Sequence, residues 1–101
     1  MSDYRFMFCL DSMGEKLTRF VRENGERVLT VSGNPESRIG LVSEGKYVVI
    51  SDKEEAAGLF DAAKVAIAYA PSGEVGNHLL DHASHAIYTE DRLCQFLRQL
   101  L

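Results

Sequence analysis

The chain has 101 residues, 46% of them hydrophobic and 26% charged, with a formal net charge of -4 at neutral pH. That length and usage fit one ordinary globular domain with a single core and argue against disorder. The negative balance gives no reason to approach phosphate backbones, whose non-specific affinity comes from Lys and Arg displacing counterions, so nucleic acid is not an expected partner. No apolar run reaches the ~20 residues needed to span a bilayer, and the polar opening MSDYR lacks the apolar segment of a secretory signal. A cytoplasmic protein without a membrane partner is the expectation.

Residues 4–10, YRFMFCL, read as a first strand, with Tyr4, Phe6, Phe8 and Leu10 on one face and Met7 and Cys9 on the other. Both faces are apolar, which places it centrally in a sheet covered on two sides. Ser12 with Glu15 reads as a capping box opening a helix with Leu17, Phe20 and Val21 on its apolar stripe, stopped at Asn24 and Gly25 in the left-handed position. Residues 27–31 form a second strand. Asn34 and Pro35 then open a short helix before Gly45, with Ile39, Leu41 and Val42 as its apolar patch.

Residues 46–69, KYVVISDKEEAAGLFDAAKVAIAY, carry the plainest signal: two continuous apolar strands around a helix, with Asp52 and Glu55 as capping box and Ala56, Leu59, Phe60 and Ala63 facing inward. A turn at Ala70-Pro71-Ser72-Gly73 leads to a fourth helix over about 72–83, and HAIY makes a fifth strand. Thr89 caps a final helix with Glu90 and Asp91 in its first turn and Leu93, Phe96, Leu97, Leu100 and Leu101 along its stripe. Cys9 and Cys94 have no metal or redox spacing and read as small buried hydrophobes.

Five strand and helix alternations call for a single-domain three-layer α/β/α fold of Rossmann-like type: a five-stranded, mostly parallel sheet with right-handed crossovers and order 2-1-3-4-5 or a close relative. Every strand then ends on one edge, where such sheets bind ligands. Asp11-Ser12, Ser32-Gly33-Asn34, Ser51-Asp52 and Pro71-Ser72-Gly73 follow four of the strands there. Ser12, Ser32, Gly33, Asn34 and Ser72 are the candidate phosphate or anion binders, because free N–H groups at helix starts attract anions. The plain alternative is that Asp11, Ser12, Asn34, Asp52 and Ser72 only cap helices.

The segment ISDKEEAAGLFDAAKVAIAYAP, with VLTVSGN and FMFCLDSM upstream, resembles the core motifs of haloacid dehalogenase-like (HAD) phosphatases, especially those like phosphoserine phosphatase. Asp52 falls on the first acid of the family's last motif, with Ala62, Ala63, Ile67, Ala68 and Tyr69 following in register. The resemblance implies a HAD-like fold, Asp11 as catalytic nucleophile, Ser32 as phosphate-holding hydroxyl, a lysine to be supplied by Lys46 or Lys53, and Mg²⁺ as cofactor. Asp11 and Asp52 are the pair that would share the Mg²⁺, which accepts one or two carboxylates with waters and phosphate oxygens. Three positions depart from the motifs: Met13 stands where the general acid belongs, Glu15 replaces the first motif's Thr, and Ala56 replaces the later acid. Losing the general acid removes a contribution of order 10²–10⁴ in rate.

All three histidines fall in HLLDHASH, as His78, His82 and His85. On a continuous helix they would share a face, with Asp81 at its margin, and form a Zn²⁺ or Ni²⁺ site; a solvated polar face is the alternative. Three expectations follow. The first is a non-catalytic HAD-like domain acting as a binding or regulatory protein, associating with a protein partner or with itself through an edge strand or the last helix. The second is a Mg²⁺-dependent phosphatase using Asp11. The third is a transition-metal site on the histidines.

Overall fold

The computed structural model describes residues 3–101. Its strands are β1 (Arg5–Cys9), β2 (Val28–Thr30), β3 (Tyr47–Ser51), β4 (Val65–Tyr69) and β5 (His85–Ile87). They form one sheet of order β2-β1-β3-β4-β5 in which every neighbouring pair is parallel. The helices are α1 (Glu15–Glu23), α2 (Ile39–Glu44), α3 (Ala57–Ala62), α4 (Asn77–His82) and α5 (Glu90–Gln99). Among the described residues, no helix is long and apolar enough to cross a membrane.

The order explains the layers. From β1 the chain steps outward through α1 to β2, then returns past β1 and continues the other way through α2, α3 and α4. Right-handed crossovers therefore send α1 to one face and the next three helices to the other. Phe6, Phe8, Val48, Ile50, Ile67, Tyr69 and Ile87 pack under Leu17, Phe20, Leu93, Cys94 and Leu97 of α1 and α5. Met7, Cys9, Val49, Ala66 and Ala68 face Val42, Ala57, Leu59, Phe60 and Leu79 of the opposite layer. Phe20 meets Phe6 and Phe8 edge to face, with ring centroids 5.4 and 6.3 Å apart. Both cysteines are free and buried.

Several helix starts differ from the sequence expectation. Ser12 does not cap α1; Gly14 is its N-cap, without a side-chain bond. The cap comes from far away instead: Glu90 Oε2 accepts from the Leu17 N–H at 3.3 Å. A side chain at position 14 would run into that carboxylate, so glycine there makes room for it. Gly25 does not take the left-handed region; it opens a short 3-10 turn, and the Asn24 side chain donates to the Phe20 carbonyl instead.

The Asp52–Glu55 box is likewise not formed. Ser51 Oγ accepts from the Lys53 N–H, and the chain enters α3 through a 3-10 turn at Glu54–Ala56. Ser72 does not begin α4, because Gly73, with φ of 82°, turns back to the Ala70 carbonyl and α4 starts only at Asn77. Two expected caps are formed: Asn34 Oδ1 accepts from Glu36 N–H, and Thr89 Oγ1 accepts from Arg92 N–H. After Asn34 a 3-10 turn precedes α2, which buries Val42 and leaves Ile39 and Leu41 exposed.

Candidate functional site

The chain reverses direction across the sheet between β1 and β3, and the ends of those two neighbours bound the crevice where open parallel sheets take ligands. Cys9 pairs with Ser51 in register, so Asp11, two residues on, and Asp52, one residue on, both follow the same edge of the sheet. Ser51 is the one buried polar residue of the described core. Its hydroxyl donates to the Cys9 carbonyl at 2.9 Å and accepts from the Lys53 N–H at 3.0 Å. The first of these hydrogen bonds stitches the ends of β1 and β3 together, and the second fixes where Lys53 departs. The Lys53 side chain, only 18% exposed, then crosses to Asp11, with Nζ 2.7 Å from Oδ1.

The electrostatics follow from this placement. The bond to Asp11 pushes the Lys53 ammonium above its ordinary pKa, with the charges of Asp11 and Asp52 adding to it. Cys9, beneath them, is pushed up to about 11 by burial, while Lys53 and Arg38 pull it back. Arg38 therefore also lies within electrostatic reach of the end of β1. The crevice combines Asp11 and Asp52 with the Lys53 ammonium, which is already engaged by Asp11.

Of the two candidate lysines, Lys53 meets Asp11, whereas Lys46 lies beside Asp3 at the opposite edge of the sheet. Ser32, Gly33 and Asn34 are exposed on the loop after β2, with Gly33 at φ of 82° and Asn34 occupied as a cap. Ser12 is exposed after β1, and Ser72 sits in the turn after β4. Met13, which the resemblance sets at a general-acid position, is half-buried against the α1 and α5 side. Ala56, which it sets at the later acid, is fully buried in the opposite layer, where a carboxylate would lack solvent.

The histidines do not form the three-membered face. α4 ends at His82, and Ala83 turns extended, which carries His85 into β5. His85 shares the face of Ile87 and stacks on Phe96 of α5, with ring centroids 4.7 Å apart. His78 and His82 lie on α4 across the sheet, their rings 5.1 Å apart edge to face. His82 Nδ1 is 2.6 Å from Asp61 Oδ1, tying α4 to α3. Among the described residues, no group of three or more His, Cys, Asp or Glu side chains could hold a metal ion. An Asp11–Asp52 pair completed by water and phosphate oxygens is a smaller set, and of its two carboxylates that of Asp11 is already engaged by the Lys53 ammonium.

Ser51 and Glu90 carry much of this geometry, and no local motif marks them. Ser51 acts across strands, and Glu90 acts on a helix 73 residues earlier. Compared with protein-family models, with curated proteins and with solved structures, the chain matches none.

Proposed function

We propose that this chain is a HAD-like, Rossmann-like α/β domain that binds an anionic ligand at the ends of β1 and β3 and regulates or presents it without turning it over. One observation carries the reading: the Asp11 carboxylate is engaged by Lys53 at 2.7 Å, while the positions for a general acid and a further metal-binding acid hold Met13 and the buried Ala56. A phosphoryl transfer at Asp11 would need a proton donor beside the leaving oxygen and charge neutralisation for the phosphate. Lys53, with Arg38 beyond it, supports the second requirement. Nothing at position 13 supplies the first. The arrangement suits holding a phosphate or carboxylate group, with Ser32 and Ser12 as neutral donors at the same edge.

The test separates binding from turnover. Purified chain with Mg²⁺ and p-nitrophenyl phosphate is expected to release no p-nitrophenol, while inorganic phosphate shifts the amide signals after β1 and β3. Lys53→Ala is expected to weaken that phosphate binding at least tenfold. Turnover abolished by Asp11→Asn would establish the phosphatase in place of the binding domain.

A further inference from the structure

A second pocket lies at the same edge of the sheet, between the loop after β1 and the ends of β4 and β5. It has a volume of about 450 Å³, and its walls include Ser12, Tyr69, Pro71, Tyr88, Thr89 and Glu90. Neither Asp11 nor Lys53 borders it. Tyr69 is only 5% exposed, and its hydroxyl has no hydrogen-bond partner among the described residues. No buried side-chain polar atom of the described residues lacks a partner, so that hydroxyl reaches solvent, and Tyr69 borders the pocket. Burial, with the charge of Glu90 added, holds the phenol above its usual pKa and keeps it protonated.

Glu90 supplies the pocket's charge. Its Oε2 accepts from Leu17 N–H, which leaves Oε1 without a donor among the described residues. A carboxylate offers about four lone-pair sites, so most of its capacity is unused. Tyr88 adds a second aromatic wall and is 47% exposed, a large apolar side chain left at the surface. No lysine or arginine borders the pocket. Of the open N–H groups at the start of α1, that of Leu17 is already taken by Glu90. The lining thus joins a half-used carboxylate to the aromatic residues Tyr69 and Tyr88 and holds no cationic side chain, the nearby Lys16 being paired with Asp91.

We infer that this pocket binds a small organic ammonium, its charge beside Glu90 and its carbons against Tyr69 and Tyr88. Carboxylate pairing and attraction to aromatic rings both favour a cation, and an alkylated nitrogen gains from the apolar walls as well. The site goes beyond the anion-binding reading and shares neither of its charged residues, so either can fail alone.

The experiment is a titration of the whole chain, followed by its ¹H–¹⁵N spectrum, with methylammonium, trimethylammonium and tetramethylammonium chlorides and with Nα-acetyl-lysine amide. Sodium chloride and tert-butanol serve as charge and shape controls. Saturable shifts at the Gly14, Tyr88 and Glu90 amides are expected with the ammoniums only. Tighter binding of the alkylated ammoniums identifies a free small molecule; tighter binding of the lysine amide identifies a peptide-borne one. Glu90→Gln keeps an acceptor for Leu17 and is expected to weaken binding at least fivefold. Tyr88→Ala, at an exposed position, is expected to weaken it about threefold, the loss of one aromatic contact. No saturable shift, equal binding of tert-butanol, or unchanged affinity in Tyr88→Ala would overturn the assignment.

Discussion

On one face of the sheet, α1 and α5 run nine and ten residues and cover Phe6, Phe8 and Phe20. On the other, α2, α3 and α4 have six residues each and lie over a floor of Ala66, Ala68, Val49 and Cys9. Helices of six residues do not hold themselves in water, since even ~12–15 are marginal, so the second layer depends on packing and on its 3-10 lead-ins. The first layer is also pinned by polar links between its two helices: Lys16 to Asp91, Glu90 to the start of α1, and Arg98 with Glu23 at 4.0 Å. Lys53 leads into the short-helix layer, whereas the ammonium pocket borders the long one. Binding groups are often drawn from the less stable parts of a fold, and the comparison places the crevice beside such a part.

Removing the aromatic centre of the long-helix face should have the largest effect. Phe20→Ala is expected to cost about 3–5 kcal/mol, and Leu59→Ala, its counterpart under α3, about 2–4 kcal/mol, as read from urea midpoints. A larger loss at Leu59 would reverse the ranking of the two layers.

The cysteines sharpen the comparison through pH. Cys9, on the short-helix face, titrates near 11 in the fold against an ordinary 9.0, and burial raises Cys94 on the other face too. A pKa raised by folding contributes its full stabilisation below the unfolded value and loses it as pH climbs. Stability should therefore fall between about pH 9 and 11, with Cys9 accounting for up to ~2–3 kcal/mol of the fall. The part due to Cys9 is the difference between the wild-type and Cys9→Ala slopes over that range. Equal slopes would show that the thiol titrates normally in the fold.

The smallest effect concerns the polar link. Glu90→Ala uncaps α1 from a distance and is expected to cost about 1 kcal/mol, the usual loss of a helix cap, while Glu90→Gln should cost less. Loss of α1 amide protection in hydrogen exchange should accompany it. If protection is lost from α3 instead, the link does not belong to the long-helix layer.

The strands were legible because their signal is local and continuous: YVVIS and VAIAY are buried and read that way, whereas the alternation of elements was compatible with the observed strand order without fixing it. Helix starts were not legible where a distant group does the capping. Ser12 and Asp52 have the right residue type at the right spacing, but Gly14 has the room and Glu90 the carboxylate, while at the start of α3 it is Ser51 that accepts, from the N–H of Lys53 and not of Glu55. Asn34 and Thr89 were readable as caps because their partners lie two and three residues on. The histidine spacing failed for a related reason, since Ala83 breaks the helix before His85 and the sheet then separates the rings. The pattern of strands and helices set Asp11 and Asp52 at one edge of the sheet, and only the family resemblance made them a pair, whereas the choice of Lys53 over Lys46 needed the fold.

The glycine at position 14 has a consequence for synthesis. A ribosome releases α1 long before α5, because Leu17 and its capping carboxylate stand 73 residues apart. Until Glu90 emerges, the first helix is an open-ended turn with an unmet N–H, and afterwards one carboxylate closes it. The early half of the chain therefore finishes folding only when the late half arrives, so a truncated product ending before residue 90 should leave α1 frayed and exposed to proteases.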